Sequence, residues 1–227
     1  MGRRVIPNRS NDMHAAKKAT EQSLYSYVVR YDSGFAPNPF GGYCTLATCK
    51  PGIRKTAQIG DWLLGTGSSN QKVKRGGHVV YAMQVQEAIS TADFWNDTRF
   101  QVKKPIIPGS WKTACGDNIY QPMPDGSWRQ LNSYHSQDDG SPKAEHIARD
   151  TAVQRILMSK DFVFFGAEGP LLPSPFREGG ASDLLRSKRG YSRIQDPQVI
   201  GEFEAWIASL QVQGVQGQPW DWLQHFK

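Results

Sequence analysis

No apolar run in this sequence is long enough to cross a lipid bilayer. Its 227 residues contain nothing near the ~20 consecutive apolar residues that a membrane-spanning helix requires. Residues 1–23 also lack the apolar central segment of a secretory signal peptide. These two absences predict a cytoplasmic protein without a membrane partner.

Cysteine is scarce as well, since the chain has only Cys44, Cys49 and Cys115. An odd number of cysteines in a chain of this size indicates free thiols in a reducing compartment. A zinc site would need a further ligand such as His78 or His135, and the cysteine spacing matches no common zinc pattern. Cys44 and Cys49 on one strand would also point to opposite faces. We therefore expect no metal and no cofactor.

The common glycine-rich phosphate-binding motifs are missing too. The sequence has neither Gly-x-x-x-x-Gly-Lys nor Gly-x-Gly-x-x-Gly. Residues 65–68, Gly-Thr-Gly-Ser, offer backbone donors and hydroxyls that can meet a phosphate, but a hairpin turn explains them equally well. No complete catalytic motif names a reaction by itself.

A basic excess is present, and its distribution matters more than its total of +6. Residues 1–20 hold five basic residues against one acidic residue, Asp12. This polar segment predicts a basic, disordered arm over residues 1–21, followed by a single domain over residues 22–227.

A second basic excess lies between residues 50 and 75, where six basic residues accompany one acidic residue, Asp61. We predict that three of the basic residues contact phosphate: Lys50, Arg54 and Lys55. A solubilising tail and a solvated loop account for both basic regions without any ligand, so this alternative stays open.

The order of local patterns predicts a mixed α+β fold. Runs rich in β-branched and aromatic residues, bounded by glycine and proline, indicate strands. Such runs cover residues 24–30, 43–49, 57–67, 78–87 and 159–166. Helices are expected at residues 91–95, with Thr91 as the cap, and at 143–152. Sequential strands separated by glycine-rich turns favour a meander or a small barrel.

A C-terminal helix is predicted to begin at Asp196-Pro197, a capping residue followed by proline at the first helical position. Five apolar residues then recur at helical spacing on one face: Val199, Phe203, Trp206, Ile207 and Leu210. We interpret this stripe as part of the core.

The segment 111–142 is rich in turn-forming residues and aromatics, so we predict that it faces a ligand. Trp111, Tyr120 and Trp128 would anchor it. Its polar residues can supply acid and base groups, but Asp and Asn in turns also serve the backbone. Within this segment, Cys115 and His135 are the one pairing that suggests a cysteine nucleophile.

Two motifs carry a family resemblance. Phe-Ala-Pro-Asn-Pro-Phe at residues 35–40 precedes Cys-Thr-Leu-Ala-Thr-Cys-Lys-Pro at residues 44–51. With Ile-Gly-Asp-Trp-Leu at 59–63 and Tyr-Ala-Met at 81–83, they make the chain similar to the nucleotide modification associated domain 2 family over residues 24 to about 226. That likeness implies a place beside a DNA-base modification or defence system of bacteria or phages.

A looser resemblance links the chain to the PUA-like superfamily, which includes EVE and ASCH domains that read nucleic acids. There a Gly-Asp turn opens a central barrel strand, as Gly60-Asp61 would here. This resemblance implies a small twisted barrel-like sheet with flanking helices. The long segment 111–142 departs from a minimal barrel of that type.

The leading hypothesis is recognition of a nucleobase in a nucleotide or nucleic acid, with a modified base favoured, by aromatic stacking and polar contacts. The residues expected to bind it are Phe35, Asn38, Phe40, Trp62, Trp111, Asp117, Asn118 and Tyr120. One alternative is an enzyme that processes a nucleotide or nucleobase through Asp117, His135 and Cys115. Another is a scaffold that docks a protein of such a system. The oligomeric state is left open.

Overall fold

The structure of the chain, a computed structural model, describes residues 22–180, 182–185 and 190–224. The arm predicted for residues 1–21 lies outside these ranges. No helix in the described ranges has the length and apolar character that a bilayer crossing demands.

A mixed six-stranded sheet forms the centre of the fold. In spatial order its strands are β10 (Ser192–Ile194), β1 (Leu24–Val29), β3 (Trp62–Gly67), β4 (Val79–Gln84), β9 (Phe162–Phe164) and β11 (Gly214–Val215). The pairs β1/β3 and β9/β11 are parallel, and the other neighbours are antiparallel. The long central strands are fully or nearly fully buried because both faces of the sheet are covered.

Two smaller antiparallel sheets complete the described strands. One contains β2 (Cys44–Leu46), β8 (Ile156–Ser159) and β5 (Glu87–Ile89) in that order, and the other pairs β6 (Tyr120–Pro122) with β7 (Trp128–Gln130). The predicted α+β class is confirmed. In the described part of the chain, the strands form open sheets and no closed barrel, so the barrel-like arrangement stays a prediction.

Six α-helices flank the sheets in the described ranges. They are α1 (Pro51–Thr56), α2 (Thr91–Asn96), α3 (Trp111–Ala114), α4 (Ala144–Thr151), α5 (Pro197–Ser209) and α6 (Trp220–Leu223). Short 3₁₀ helices cover Thr98–Lys103, Gly166–Glu168 and Ser174–Phe176. The predicted start of α5 is confirmed, because the Asp196 side chain accepts a hydrogen bond from the Gln198 N–H at 2.9 Å. The cap of α2 is Ser90, and the prediction of Thr91 was wrong by one residue.

The two faces of the central sheet bury different cores. One face packs Tyr25 and Tyr81 against Leu46 of β2 and Leu157 of β8. The opposite face is covered by α5. There the predicted apolar stripe is confirmed as core, since Val199 and Phe203 are buried and Trp206, Ile207 and Leu210 pack around them.

Two departures from the predicted elements shape the functional surface. The strand expected at residues 43–49 ends at Leu46, and a turn follows in which Cys49 and Lys50 have positive φ angles of 57° and 40°. The segment 111–142 contains α3 and the β6/β7 hairpin, so it is more structured than the long loop we predicted.

Candidate functional site

A cavity of about 590 Å³ opens beside the end of β1, and we call it the β1 cavity. Its wall combines the end of β1, the chain that follows β1, the turn after β2, the segment around Tyr134 and the helix α4. This volume lies within the ~300–1,000 Å³ typical of small-molecule sites.

Aromatic side chains form one side of the β1 cavity. The rings of Phe35 and Tyr134 are stacked, with centroids 5.9 Å apart and an interplanar angle of 29°. Phe35 also packs on the His135 ring at 4.6 Å, while Tyr31 lines the cavity and is 67% exposed. Flat apolar faces of this kind suit a planar ligand.

Basic side chains line the same cavity. Arg30, Lys50 and Arg149 all contribute to its wall, and Asp221 is the acidic residue among the lining side chains. The Lys50 ammonium lies 4.4 Å from the ring centroid of Tyr27, and burial lowers the pKa of Lys50. The excess of cations favours an anionic ligand.

Three polar side chains form a hydrogen-bonded chain at the wall of the cavity, and we call it the Cys49 triad. Cys49 Sγ lies 3.5 Å from His135 Nε2, and His135 Nδ1 lies 2.6 Å from Asp150 Oδ2. Cys49 and His135 line the cavity, whereas Asp150 is buried behind them. A thiol, an imidazole and a carboxylate in this order match the arrangement of an activated nucleophile.

The Asp150 carboxylate is held by four hydrogen bonds. Its Oδ2 accepts from Tyr120 Oη at 2.9 Å as well as from His135, and its Oδ1 accepts from the Cys49 N–H at 3.2 Å and from Arg149 Nε at 3.0 Å. Burial opposes the charge on Asp150, but hydrogen bonds from His135 and Arg149 outweigh burial and lower its pKa.

His135 is held in its protonated form by the same contacts. Burial opposes its charge, yet hydrogen bonds to Asp150 and Cys49 outweigh that penalty and raise the pKa of His135 to about 9. An imidazolium at this position can donate to the carboxylate through Nδ1 and to the sulfur through Nε2.

The backbone of the triad is fixed by Arg54, which is fully buried. Its Nε donates to the Cys49 carbonyl at 3.0 Å and its Nη2 to the Asp150 carbonyl at 2.6 Å. Its Nη1 donates to the carbonyls of Val153 and Arg155. The guanidinium is thus shielded and bonded to the chain's own carbonyls, and the phosphate contact expected of Arg54 stays a prediction.

The Cys49 triad also brings together three types of metal ligand. One candidate ligand atom from each of Cys49, His135 and Asp150 lies within 4.8 Å of the others. However, the thiol and the carboxylate contact opposite nitrogens of one imidazole ring, and both carboxylate oxygens already accept hydrogen bonds. In the observed geometry each of these groups is engaged by a hydrogen bond, so the three side chains form a hydrogen-bonded chain.

Three of the predicted site residues lie in a different, buried cluster, which we call the Cys115 network. Asn38 Nδ2 donates to the Cys115 carbonyl at 2.8 Å, and Lys103 Nζ donates to Asn38 Oδ1 at 2.7 Å. Asp117 Oδ2 accepts from Thr45 Oγ1 at 2.5 Å. Asn38, Asp117, Cys115 and Lys103 are each at most 2% exposed.

Burial dominates the ionisation of this network. It raises the pKa of Asp117 to about 6 in spite of Lys103 and Thr45, and it raises the pKa of Cys115 to about 12. Cys115 is thus a poor nucleophile, and His135 contacts Cys49 instead of Cys115. Catalysis through Asp117, His135 and Cys115 stays a prediction, and the structure places Cys49, not Cys115, beside His135.

The other predicted ligand-binding residues are distributed over the fold. Asn118 is buried and donates to the carbonyls of Phe94 and Phe100, while Tyr120 is buried and reaches Asp150. Phe40 stacks on Trp222 at 5.4 Å and lines a separate depression. Trp111 packs at 6.4 Å from Trp222.

Trp62 lies on the α5 side of the central sheet. Its ring packs edge-on against Phe203 at 5.5 Å, and its Nε1 donates to Glu204 at 2.7 Å. Of the predicted residues, the structure brings Phe35, Lys50 and His135 together at the β1 cavity. Lys55 is exposed on α1 and is not among the residues that line it.

Sequence reasoning missed Cys49 and Asp150 as site residues, along with Arg149 and Tyr134. A signal for Cys49 was present in the sequence, because the Lys50-Pro51-Gly52 stop places it at the junction of a strand and a helix. A signal for Asp150 was weaker. Asp150 lies four residues after His146 in a short helix, so the two side chains share one helix face. The helical pattern does not predict which loop packs against that face.

One family model matches the chain over residues 21–226, with the description nucleotide modification associated domain 2. Comparison with curated proteins gives no significant match, and neither does comparison with solved structures.

Proposed function

Since the chain belongs to the nucleotide modification associated domain 2 family, we propose that its β1 cavity binds a nucleotide, free or within a nucleic acid, and recognises its base. The family description associates the chain with a nucleotide modification system. A modified base is therefore the ligand that we favour.

The observation that supports this proposal most strongly is the meeting of aromatic and basic side chains in one cavity. The Tyr134 ring is 41% exposed and offers a face on which a base can stack, with the buried Phe35 ring packed behind it, and stacking contributes ~1–3 kcal/mol per base. Arg30, Lys50 and Arg149 lie on the same wall, where they can neutralise a phosphate.

The looser resemblance to PUA-like readers concerns the sheet and not the cavity. Gly60-Asp61 precedes β3 beside the start of β1, because β1 and β3 are parallel, whereas the β1 cavity lies at the other end of β1.

Calorimetric titration with deoxynucleoside monophosphates tests the proposal, with 5-hydroxymethyl-dCMP as a modified example. Replacing Tyr134 by Ala should weaken binding by roughly fivefold or more, because a stacking face is lost. Lys50→Ala should weaken monophosphate binding by about tenfold, as expected for a lost charged hydrogen bond.

The matched control is Lys55→Ala, which removes a lysine of the same helical region that does not line the cavity. It should leave the affinity unchanged. If no monophosphate binds, or if Lys50→Ala and Lys55→Ala behave alike, the proposal is wrong and a protein-docking scaffold is favoured.

A further inference from the structure

We propose that Cys49 is a catalytic nucleophile, with His135 as its acid and base and Asp150 as the group that orients His135, and that it transfers the acyl group of a nucleotide derivative. This inference rests on the proposed nucleotide binding in the β1 cavity. It concerns a different property of the cavity, namely covalent chemistry at its wall.

The geometry supports a nucleophile at position 49 and not at the other cysteines. Cys49 is half-buried and lines the cavity, whereas Cys44 and Cys115 are buried and burial raises the pKa of both. The sulfur of Cys49 is 3.5 Å from His135 Nε2, within reach of proton transfer.

The imidazole is held on all sides. Asp150 fixes Nδ1 at 2.6 Å, and the ring packs against Phe35 and His146 with both centroid distances at 4.6 Å. Asp150 is itself fixed by Tyr120 and Arg149, so it cannot turn away from His135. A base that keeps one orientation toward its nucleophile is what this type of catalysis requires.

The conformation of Cys49 adds a second geometric argument. Its φ of 57° belongs to the left-handed region, which is unfavourable for a residue with a side chain. The turn that imposes this angle joins β2 to α1, and the Cys49 N–H donates to Asp150. The strained turn therefore points the sulfur to the cavity while tying its backbone to the carboxylate.

The proposed reaction has two balanced steps. In the first, the Cys49 thiolate attacks the carbonyl carbon of an ester or amide, the bond from that carbon to oxygen or nitrogen breaks, and the imidazolium of His135 gives its proton to the leaving alcohol or amine. In the second, water attacks the thioester while neutral His135 accepts a proton from it. The carboxylic acid leaves, and the thiolate and imidazolium are restored.

The cavity restricts the substrate to a class. A base can stack on Tyr134, which is 41% exposed, while Lys50 and Arg30 meet a phosphate. Arg149 also lines the cavity, with its Nη2 3.4 Å from His135 Nδ1, and adds positive charge to the wall. An acylated base or an acylated sugar of a nucleotide fits these features.

Thiol chemistry tests the inference without the natural substrate. The protein is treated with iodoacetamide at pH 6.5, and the rate at each cysteine is read by peptide mass mapping. Cys49 should react at least about tenfold faster than the same residue in the urea-unfolded chain, because an imidazolium partner maintains the thiolate. Cys44 and Cys115 should react at least about tenfold slower than when unfolded.

The partner and the pH dependence are tested next. His135→Gln should slow Cys49 alkylation at pH 6.5 by at least about tenfold and change the pH dependence of the rate, because the imidazole 3.5 Å from the sulfur is lost. The titratable and charged groups around the pair are Tyr27, Lys50 and Arg54 beside Cys49, and Tyr120, His146, Arg149 and Asp150 beside His135. If His135→Gln does not fold, the comparison of folded and unfolded parent protein decides alone.

Acyl transfer itself is read with p-nitrophenyl acetate. The parent protein should form an acetyl adduct on Cys49, detected by intact mass, that Cys49→Ala lacks and Cys115→Ala retains. A Cys49 that alkylates no faster than in the unfolded chain, or that neither forms an adduct nor releases p-nitrophenol in excess of Cys49→Ala, overturns the inference. So does a stoichiometric metal ion that copurifies with the parent and is lost in Cys49→Ala.

Failure of this inference can be told from failure of nucleotide binding. If deoxynucleoside monophosphates bind in the titration but Cys49 is not activated, the cavity is a reader and the catalytic inference fails. If His135 activates Cys49 but no monophosphate binds or protects the thiol, the reactive Cys49 triad is supported and the proposed nucleotide binding is wrong.

Discussion

The Cys49 triad and the Cys115 network contain similar chemical groups in opposite surroundings. Each combines a cysteine with a carboxylate and a basic side chain, Asp150 and His135 in one case, Asp117 and Lys103 in the other. The triad borders the β1 cavity, whereas the network is sealed inside the fold. Residue types alone therefore do not identify a reactive site.

The two clusters differ in the groups that their charged side chains contact. In the Cys115 network, Lys103 donates to both oxygens of Asn38, so the ammonium holds the chain after β1 against the 3₁₀ helix Thr98–Lys103. In the Cys49 triad, the charges converge on an imidazole that faces a cavity. We expect the first cluster to govern stability and the second to govern chemistry.

The largest effect on this comparison should come from Lys103→Met. Removing one partner of a buried charged network leaves Asn38 and Asp117 without compensation, which costs ~3–5 kcal/mol. Urea unfolding followed by circular dichroism measures the loss. Lys50→Met at the cavity is the matched control, and it should cost no more than about 2 kcal/mol, the value of a partly desolvated cation–π contact with the buried Tyr27 ring. If both variants lost the same unfolding free energy, the Cys115 network would be no more important for stability than the cavity wall.

An intermediate effect should appear in the pH dependence of stability. The folded-state pKa of His135 is raised to about 9 from the ordinary value of 6.5, so its contribution is complete below pH ~6.5 and is lost as the pH rises to about 9. Over this window the unfolding free energy should fall by at most ~1.4 kcal/mol per pH unit. Denaturant titrations at pH 6, 7.5 and 9 measure the slope.

His135→Gln is the control for that slope, because it removes the titrating group and keeps a hydrogen-bonding side chain. Its stability should vary less between pH 6 and pH 9 than that of the parent. A parent slope that is matched by the variant would show that His135 does not gain a proton-dependent partner on folding.

The smallest effect on stability should come from replacing Cys115 or Cys49 by alanine. Cys115→Ala opens a small void in a buried cluster with Phe35 and Ile119 and should cost roughly 1 kcal/mol. Cys49→Ala lies beside a cavity and should change stability by less than about 0.5 kcal/mol. Thermal unfolding of the two variants side by side measures the difference, and the reverse order would contradict the assignment of the two regions.

The sequence predicted the parts of the fold that depend on local pattern. The strands at β1, β3 and β4 follow runs of β-branched and aromatic residues, and α5 follows an Asp-Pro start and an apolar stripe. These signals lie within a few residues of one another. The pairing of β1 with β10 and of β9 with β11 joins distant segments and leaves no local pattern.

The candidate site was predicted in part, and the reason for the error is specific. The argument that Cys44 and Cys49 point to opposite faces assumed one strand through residue 49. The strand ends at Leu46, so the alternation of faces no longer applies to Cys49. His135 was identified as a proton-transfer residue, but its partners come from β2's following turn and from α4, which only tertiary packing brings to it.

The buried guanidinium of Arg54 has a consequence for how the protein can tolerate change. Arg54 donates hydrogen bonds to the backbone carbonyls of Cys49 and Asp150, the two outer members of the triad. It therefore fixes these two residues relative to each other, although they are 101 positions apart in the chain. If α1 loosened, Cys49 and Asp150 would move together, and His135 would lose both of its hydrogen-bond partners. Loss of the proposed Cys49 reactivity and local unfolding around α1 are therefore expected to occur together.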